Sequence, residues 1–369
     1  MQELPTSHRV PVSWLRAYAC SAIKWRTLRD ILPPGSATPE DYEAARTEAV
    51  QSKQVQQIVK KQRKNGLWGD NLLGLAANKP QGYKDVGTIA QYRRLVELGV
   101  PHDERVFRRP DRFLYRVLSR DEAPDLLMEY KSGAKANPDL VAWSREQFRE
   151  GAAAALSHAG LVEDPRVRGA AHRVASNVSQ FLRSDLADKV IIRKGNRNIL
   201  FPESYPPSVL SVAMVAYMSS LHRERAGFIE RLCFYLAQPA PKKKFVITIG
   251  RKVIPPVYPL LGNPLEADRS GAPKDLPFAL HWIELLVRMN MLHTNEIAVK
   301  ILGRLLEDLD PSGVWAPKSL RGIPKSRTRL VDFWFPFELD GKVAERRQAD
   351  VTFRLALIAK LAGWTLEFT

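Results

Sequence analysis

The sequence predicts an all-α fold built from repeated pairs of helices. One observation behind this prediction is an internal repeat, in which five residues recur at a common offset of 61 positions. Leu95, Gly99, Asp103, Arg105 and Val106 match Leu156, Gly160, Asp164, Arg166 and Val167. A repeat of about sixty residues favours stacked helical pairs. The other observation is that wholly apolar segments alternate along the chain with segments that are apolar on one face only.

Four segments predict helices with little or no solvent face. A helix that is hydrophobic all round needs neighbours on several sides. Ser208, which follows two prolines, and Asp275 before Pro277 are suitable residues to begin two of these helices. The predicted inner helices are 86–98, which is the more amphipathic one, 208–221, 278–292 and 351–364.

Charge-rich segments lie between them and predict amphipathic outer helices. In one of these segments Ile297, Ile301 and Leu305 recur at helical spacing. The predicted outer helices are 41–64, 145–159, 164–182 and 296–309. Polar outer helices that alternate with apolar inner ones indicate two concentric layers.

Two stretches break the helical pattern and predict β-hairpin insertions at 189–201 and 244–257. Each has Val, Ile or Phe on both sides of a glycine-containing turn, which is a hairpin signal. Both turns are basic, and both hairpins run into proline-rich exits. No low-complexity linker interrupts the chain, so we expect residues 1–369 to form one domain.

The net charge of the chain indicates which kinds of binding partner it would attract. Among 369 residues, 45% are hydrophobic and 26% charged, which is an ordinary globular balance. The 56 basic and 40 acidic residues give a formal net charge of +16. Such an excess attracts polyanions such as nucleic acid, anionic lipid or diphosphate groups. A need for solubility would produce the same excess, so both interpretations stay open.

The cysteines and the apolar segments predict a cytoplasmic protein. Cys20 and Cys233 are the two cysteines, too few for a disulfide framework, and neither lies in a CxxC pair. The first ten residues contain Glu3 and no apolar signal core. The longest apolar stretch, 209–221, contains three serines and is too short to cross a bilayer.

Residues 62–68 read Gln-Arg-Lys-Asn-Gly-Leu-Trp, which is a Q-x-x-x-G-x-W pattern. Residues 310–315 read Asp-Pro-Ser-Gly-Val-Trp, a second copy without the glutamine. The pattern resembles the glutamine–tryptophan repeat of the squalene cyclase and prenyltransferase α/α-toroid superfamily, above all its short bacterial branch. We expect Trp68 and Trp315 to cover helix ends as fold determinants, with the glutamine amide satisfying backbone groups there.

The resemblance implies an α/α toroid with a central cavity lined by the N-terminal ends of its inner helices. Members of the superfamily use this cavity for isoprenoid cyclisation or protein prenylation. Their acid-initiated cyclases carry Asp-x-Asp-Asp, to which only Asp308-Leu309-Asp310-Pro311 is similar here. We therefore name Asp308 and Asp310 as catalytic candidates, with a solvated, turn-forming acid pair as the favoured alternative. The Asp-Asp-x-x-Asp magnesium motif is absent, and no Asp-x-Cys pattern supports a zinc site, so no metal is predicted.

If the toroid forms, side chains at the starts of the inner helices face a common bowl. Aromatic rings interleaved with acids and hydroxyls suit an apolar ligand or a carbocation. The predicted ligand-binding residues are Tyr83, Asp85, Gln91, Tyr92, Trp143, Tyr205, Trp282 and Glu284. His281 is a third catalytic candidate, although a satisfied core histidine is favoured. For each residue taken singly, core packing or helix capping is the more common role.

A basic segment near residue 320 predicts an anion-binding site. Its candidates are Lys318, Arg321, Lys325, Arg327 and Arg329. Basic residues beside aromatics bind single-stranded nucleic acid or a diphosphate. A solvated loop is the alternative, and we expect the aromatic run at 333–337 to enter the core.

Two functions follow from the sequence. The preferred one is a toroid that binds an apolar ligand, with isoprenoids among the candidates, in a cyclase-like or prenyltransferase-like cavity whose catalysis is left open. The alternative is a non-catalytic protein whose basic surface binds nucleic acid or a protein partner. A third interpretation, a DNA-gripping solenoid of HEAT type, would have repeats nearer forty residues and no Gly-x-Trp turns. The sequence identifies no cofactor.

Overall fold

The computed structural model describes residues 3–74, 86–134, 137–326, 328 and 336–369. It is mostly helical, as predicted. In chain order, the α-helices are α1 (Val12–Tyr18), α2 (Ser21–Arg26), α3 (Pro39–Gln51), α4 (Lys53–Lys60), α5 (Thr88–Glu97), α6 (Arg105–Leu118), α7 (Lys131–Ala134), α8 (Pro138–His158), α9 (Pro165–Leu182), α10 (Val209–Ala216), α11 (Ser219–Glu224), α12 (Ala226–Ala237), α13 (Leu276–Arg288), α14 (Glu296–Glu307) and α15 (Ala344–Leu361). The strands are β1 (Ser7–Val10), β2 (Ile191–Lys194), β3 (Arg197–Leu200), β4 (Ile247–Ile249), β5 (Lys252–Ile254) and β6 (Thr365–Phe368).

The chain divides into two compact units. Unit 1 contains Met1–Lys61, Arg94–His102 and Leu265–Thr369, and unit 2 contains Gln62–Arg93 and Asp103–Pro264. Helix α5 contributes residues to both. The expectation of a single domain over residues 1–369 stays a prediction.

Three of the four helices predicted to be inner helices contain a stretch that is buried on all sides; the fourth, α5, has half-buried residues at 91, 94 and 96. Every residue is buried from 209 to 216 in α10, from 277 to 287 in α13 and from 349 to 359 in α15. The same holds for residues 150–157 of α8, a helix that the sequence assigned to the amphipathic class. A stretch without a solvent face gains stability only from neighbours on every side, as its composition predicts.

The duplicated sequence pattern encodes one way of ending a helix. At the end of α5 the Val100 N–H donates to the Leu95 carbonyl at 3.0 Å, and at the end of α8 Leu161 donates to Leu156 at 3.0 Å. Between these residues Gly99 and Gly160 have φ angles of 82° and 84°. This is the backbone pattern of a Schellman cap, and a chain that leaves both helices in the same way explains the common register.

The two Gly-x-Trp turns are built alike, one in each unit. In unit 2 the Trp68 N–H donates to Thr88 Oγ1 at 3.0 Å, and in unit 1 the Trp315 N–H donates to Thr352 Oγ1 at 3.0 Å. Both threonines are fully buried, and both tryptophans are 4% exposed. The prediction that these tryptophans belong to the core is confirmed.

The glycine of each turn is required by close packing as well as by conformation. Gly66 has φ of +88° and Gly313 of +92°. A Cβ on Gly66 would collide with Arg109 of α6, and one on Gly313 would collide with the backbone of Arg9. Only glycine combines this φ with so small a volume.

The glutamine of the motif supplies a hydrogen-bond donor to a helix that contains a proline. Pro110 lies inside α6 and has no N–H, so the Val106 carbonyl four residues earlier lacks its helical donor. Gln62 Nε2 donates to that carbonyl at 2.8 Å and to the Gly66 carbonyl at 3.0 Å. The predicted role for the amide, satisfying backbone groups at a helix, is therefore confirmed for Gln62.

Two predicted helices are each divided into two. The segment 41–64 breaks between α3 and α4, because Ser52 adopts an extended conformation and caps α4 through the Val55 N–H. The segment 208–221 breaks between α10 and α11, where Met218 leaves helical geometry. Periodicity continues across both breaks, which is why the sequence predicted one helix in each place.

The structure adds elements that the sequence analysis did not predict. Helices α6 and α12 are among them, and so is the parallel pairing of β1 with β6, in which Ser7 lies opposite Thr365. This pairing joins the two ends of unit 1. A parallel pair far apart in the chain leaves no local signal comparable to a hairpin turn.

Replacing Thr352 by valine should destabilise the protein by about 1–3 kcal/mol, because the buried Trp315 N–H loses its acceptor while the shape of the side chain is kept. Thr352→Ser is the matched control: it keeps the hydroxyl and removes one methyl group, at about 1 kcal/mol. Urea unfolding measures both. If serine destabilises more than valine, the methyl packing rather than the hydrogen bond explains the threonine.

Gln62→Leu should destabilise the wild type by about 1 kcal/mol and should have a clearly smaller effect in a Pro110→Ala background. Alanine at position 110 restores the N–H that Val106 lacks, so only the bond to the Gly66 carbonyl is still lost there. A double-mutant cycle of unfolding free energies measures this coupling. Equal effects of Gln62→Leu in both backgrounds would show that the amide acts elsewhere.

Candidate functional site

Two β-hairpins of unit 2 lie where the sequence predicted them. Strands β2 and β3 pair with Lys194 opposite Arg197, and β4 and β5 pair with Ile249 opposite Lys252. Glycine is the first residue of each two-residue turn, with φ of 59° at Gly195 and 57° at Gly250. Positive φ at this position is favourable in tight hairpins.

The two hairpins join edge to edge. Leu200 of β3 donates its N–H to the Val246 carbonyl at 2.9 Å, and Val246 donates to the Asn198 carbonyl at 3.1 Å. The Asn198 side chain also donates to the Lys244 carbonyl at 3.2 Å. The buried side chains of Ile199 and Ile247 anchor the joined strands. We call the exposed side chains of residues 189–201 and 242–257 the hairpin surface.

The hairpin surface is strongly basic. It carries nine exposed cationic side chains and no carboxylate: Lys189, Arg193, Lys194, Arg197, Lys242, Lys243, Lys244, Arg251 and Lys252. None of the nine forms an ion pair with any residue that the structure describes. Lys252 instead lies with its ammonium 5.1 Å from the centroid of the Tyr130 ring. Nine cations that no described carboxylate pairs with create a local positive potential that attracts a polyanion.

A wide groove opens at the edge of this surface. Its volume is about 1020 Å³, and Lys189, Lys242 and Lys243 contribute to its lining together with Tyr235 and one carboxylate, Asp188. The adjacent Phe234 is 69% exposed. Basic side chains beside accessible aromatic rings are the combination that binds single-stranded nucleic acid.

The predicted anion-binding cluster is only partly described. Lys318, Arg321 and Lys325 are exposed, and Arg321 Nη1 donates to the Lys318 carbonyl at 3.0 Å. Arg327 and Arg329 lie outside the described residues, as does the aromatic run up to residue 335. Phe337 is fully buried. An anion-binding role for this cluster stays a prediction.

Three predicted site residues of α13 lie in the interior of unit 1. Trp282 is fully buried and stacks on Phe278 at a centroid distance of 6.0 Å, and His281 is 3% exposed. Glu284 Oε2 accepts from Arg354 at 3.3 Å, and its Oε1 accepts from Arg288 at 2.8 Å. The acid in an apolar helix therefore belongs to a buried ion network.

That network extends over four helices of unit 1. Arg354 Nη2 donates to Glu97 Oε1 at 2.6 Å, and Arg26 Nη1 donates to the same oxygen at 3.3 Å. Arg26 also pairs with Asp30 at 2.7 Å. Burial opposes the charge of Arg26, but Asp30, Glu97 and Glu284 together hold its pKa above the ordinary value. The carboxylates compensate the buried guanidinium groups.

Two further buried carboxyls fix the segment that precedes α15. Asp350 accepts the Phe337 N–H at 2.9 Å, and Glu338 accepts the N–H of Cys20. Burial raises the pKa of Asp350 to about 6, against the opposing effects of Arg354 and two backbone N–H groups. Burial, reinforced by Asp350, raises the pKa of Glu338 to about 7.

The predicted ligand-binding residues of unit 2 include several that make buried or half-buried contacts and two that lie outside the described residues. Tyr92 is fully buried, and its hydroxyl donates to Asp111 at 2.7 Å. Tyr205 donates to Glu150 at 3.3 Å, and Trp143 packs edge-on to Tyr130 at 5.6 Å. Gln91 is half-buried on α5. Tyr83 and Asp85 lie outside the described residues.

Asp308 and Asp310 lie at the end of α14. Asp308 pairs with Arg304 at 3.2 Å. Asp310 Oδ1 accepts the N–H groups of Ser312 and Val314 at 2.8 and 3.0 Å. Partial burial raises the pKa of Asp310, but these bonds and the bond from the Ser312 hydroxyl outweigh it, so the pKa is lower than usual. The geometry is that of a turn-forming acid, and a catalytic role stays a prediction.

Those predicted ligand-binding and catalytic side chains that the structure describes contribute to none of three cavities in the described part of the chain. These cavities have volumes of about 530, 280 and 1020 Å³. Among the described residues, no three or more His, Cys, Asp or Glu side chains are grouped to hold a metal ion. No helix there has the length and apolar composition needed to cross a bilayer.

Comparisons of the chain with protein-family models, curated proteins and solved structures give no match.

The hairpin surface was only partly visible in the sequence. Basic residues in both hairpin turns were evident, but the pairing of β3 with β4 was not. A signal was present: residues 189–201 and 242–257 lack Asp and Glu altogether, in a chain with 40 of them. Local absence of one charge sign is a better indicator of a binding surface than net charge, because a solvated face carries both signs.

Glu338 predicts a pH dependence of stability. Its pKa is higher in the folded protein, about 7, than the ordinary 4.5, so between these values the folded state binds more protons. The free energy of unfolding of the wild type should therefore fall, relative to Glu338→Gln, as pH rises from about 4.5 to 7. The total difference should be on the order of 1–3 kcal/mol.

Urea unfolding at several pH values measures this difference. Glutamine keeps an oxygen that accepts the Cys20 N–H, so the variant retains the local geometry. Glu48→Gln, at an exposed position of α3, is the control and should run parallel to the wild type. Parallel curves for Glu338→Gln and the wild type would refute the raised pKa.

Proposed function

We propose that the protein binds nucleic acid through the hairpin surface of unit 2. The observation that carries this proposal is the set of nine exposed cations, on two joined hairpins that contain no carboxylate, none of which pairs with an acid in the described part of the chain. Lys and Arg contacts to phosphate oxygens supply most of the sequence-independent affinity of proteins for nucleic acid.

The composition of the surface favours nucleic acid over an acidic protein. Protein interfaces depend on a few buried aromatic or aliphatic anchors. Within residues 189–201 and 242–257, all of which are described, Val253 is the one large apolar side chain among the strongly exposed ones, at 43%. Distributed cations with little apolar surface suit a partner whose charge is repeated along a backbone. Tyr235 lines the neighbouring groove, and the preceding residue, Phe234, is exposed; bases stack on aromatic rings of this kind.

We further propose that the helical pairs belong to an α/α toroid like that of the resembled superfamily. The common construction of the two Gly-x-Trp turns supports this, since each joins a buried threonine to the tryptophan N–H. The binding of an apolar ligand in a central cavity is the function that such a toroid would add. Solution scattering tests the fold: a profile that fits an open superhelix contradicts it.

The apolar-ligand hypothesis is tested separately by thermal unfolding with squalene and with geranylgeranyl diphosphate. A ligand that binds the folded protein raises its unfolding midpoint. An unchanged midpoint with both compounds would remove this hypothesis and leave the nucleic-acid proposal untouched.

Nucleic-acid binding should be lost in a triple variant of the hairpin surface. We expect Lys242→Ala/Lys243→Ala/Lys244→Ala to weaken binding of a fluorescent 20-nucleotide strand at least tenfold. Between 50 and 200 mM salt, the slope of log affinity against log salt should become shallower by about 2, since each lost phosphate contact contributes about 0.7 for a single strand. Fluorescence anisotropy measures both quantities, for single-stranded and duplex probes.

The matched control is Lys53→Ala/Lys60→Ala/Lys342→Ala, which removes the same charge from exposed positions of unit 1. It should bind nearly as well as the wild type. Equal losses in the two triple variants would show that net charge, and not the hairpin surface, determines binding. Salt-independent affinity would contradict the proposal altogether.

A further inference from the structure

A second cavity of unit 2 lies beside the Gly-x-Trp turn. Its volume is about 530 Å³, and its walls are the turn at residues 65–70, the solvent face of α6 and the segment 125–131. We call it the α6 cavity. Small-molecule sites have volumes of about 300–1,000 Å³, so the α6 cavity has the size of a ligand site.

The lining carries more positive than negative charge. Arg109, Arg112 and Arg116 lie on one face of α6, and Lys131 lies at the start of α7. The two carboxylates of the lining, Asp70 and Asp125, already pair with Arg63 and Arg116. Arg112 and Lys131 form no ion pair within the described part of the chain. Two cations are therefore available to a ligand.

An apolar wall faces these charges. Leu67, Phe113 and Met128 contribute to the lining. The side chain of Asn65, whose Oδ1 accepts the Leu67 N–H at 3.0 Å, adds a polar group at the rim. Convergent charges beside an apolar wall fix the orientation of a ligand with an anionic head and an apolar or flat body.

The wall is held in an unfavourable conformation. Met128 has φ of 40° and ψ of −120°, outside the regions that a side chain of this kind ordinarily adopts. The neighbouring Glu129 carboxylate accepts the N–H groups of Leu72 and Leu73 at 2.7 and 2.9 Å, which fixes the segment. Strained residues that the surrounding structure holds in place cluster at ligand sites.

We propose that the α6 cavity binds a phosphate monoester. Arg112 and Lys131 hold the phosphate, and Phe113, Leu67 and Met128 contact the organic group. A monoester carries close to two negative charges at neutral pH, which matches the two cations that form no ion pair with a described residue, and the planar guanidinium of Arg112 matches two phosphate oxygens.

The phosphate has two sources that the same chemistry would accept. One is a free monoester of mononucleotide size. The other is the terminal phosphate of a strand on the hairpin surface, because Lys252 of that surface lies over Tyr130, which directly precedes Lys131. The first source is independent of the proposed function, and the second rests on it.

Calorimetric titration of the full chain with adenosine 5′-monophosphate tests the proposal. Adenosine, which lacks the phosphate, and adenosine 3′,5′-cyclic monophosphate, which is a singly charged diester, are the comparison compounds. We expect the monophosphate to bind at least tenfold more tightly than either. No binding of the monophosphate, or equal affinity for the cyclic diester, overturns the proposal.

Arg112→Ala and Lys131→Ala should each weaken binding of the monophosphate at least tenfold. Arg108→Ala is the matched control, since Arg108 is an exposed arginine of the same helix that does not line the cavity. It should retain affinity within about twofold. Equal losses in Arg108→Ala and Arg112→Ala would assign binding to the general charge of α6 and refute the site. Circular dichroism confirms that each variant is folded.

Oligonucleotides with and without a 5′-phosphate distinguish the two sources. If the terminal phosphate is the ligand, the 5′-phosphorylated strand binds at least tenfold more tightly, and Arg112→Ala abolishes the difference. If the ligand is a free monoester, both strands bind equally and the monophosphate still binds. The calorimetric titration does not involve the hairpin surface, so failure of the nucleic-acid proposal and failure of this site are separate results.

Discussion

The buried guanidinium of Arg354 is the constraint on which unit 1 depends. It contacts Glu97 of α5 at 2.6 Å and Glu284 of α13 at 3.3 Å, and all three side chains are almost entirely inaccessible. Removing a charge from water is unfavourable unless its partners are accurately placed, and the loss of one partner leaves an uncompensated charge in the interior. Helices α5, α13 and α15 therefore have few alternative packings that satisfy the network. Hydrophobic contacts alone would tolerate small displacements that these ion pairs do not.

What the sequence could predict was local. The common helix ends at Gly99 and Gly160, the hairpin turns, and the burial of Trp68 each follow from residues within a few positions of one another. The contacts of Thr88 and Thr352 could not be predicted from the sequence in this way. Thr88 lies 20 residues from its tryptophan, and Thr352 lies 37 residues from its own. The distance differs between the two copies, so no fixed spacing marks the pair.

Glu284 shows why the candidate site could not be read in the same way. An acid in an otherwise apolar helix fits a ligand-binding bowl and a buried ion pair equally well, and its partner decides which. That partner, Arg354, lies 70 residues away in a segment whose composition is also almost wholly apolar. The pairing of Gln62 with the carbonyl that Pro110 leaves without a donor is hidden for the same reason. In each case the chemistry of one residue becomes interpretable only when a distant contact is known.

The cationic residues of the ion network in unit 1 and those of the two proposed sites in unit 2 have different surroundings: the former are largely buried in ion pairs, and the latter are exposed. Arg26 and Arg354 lie in the interior of unit 1 and form ion pairs with carboxylates. Their charge is therefore compensated within the protein and helps to fix how its helices pack. Among the described residues, no carboxylate pairs with the nine cations of the hairpin surface or with Arg112 and Lys131 at the α6 cavity. Concentrating cations without nearby acids destabilises a folded chain through their mutual repulsion. An external anion removes that repulsion, and this is the physical reason to place binding in unit 2.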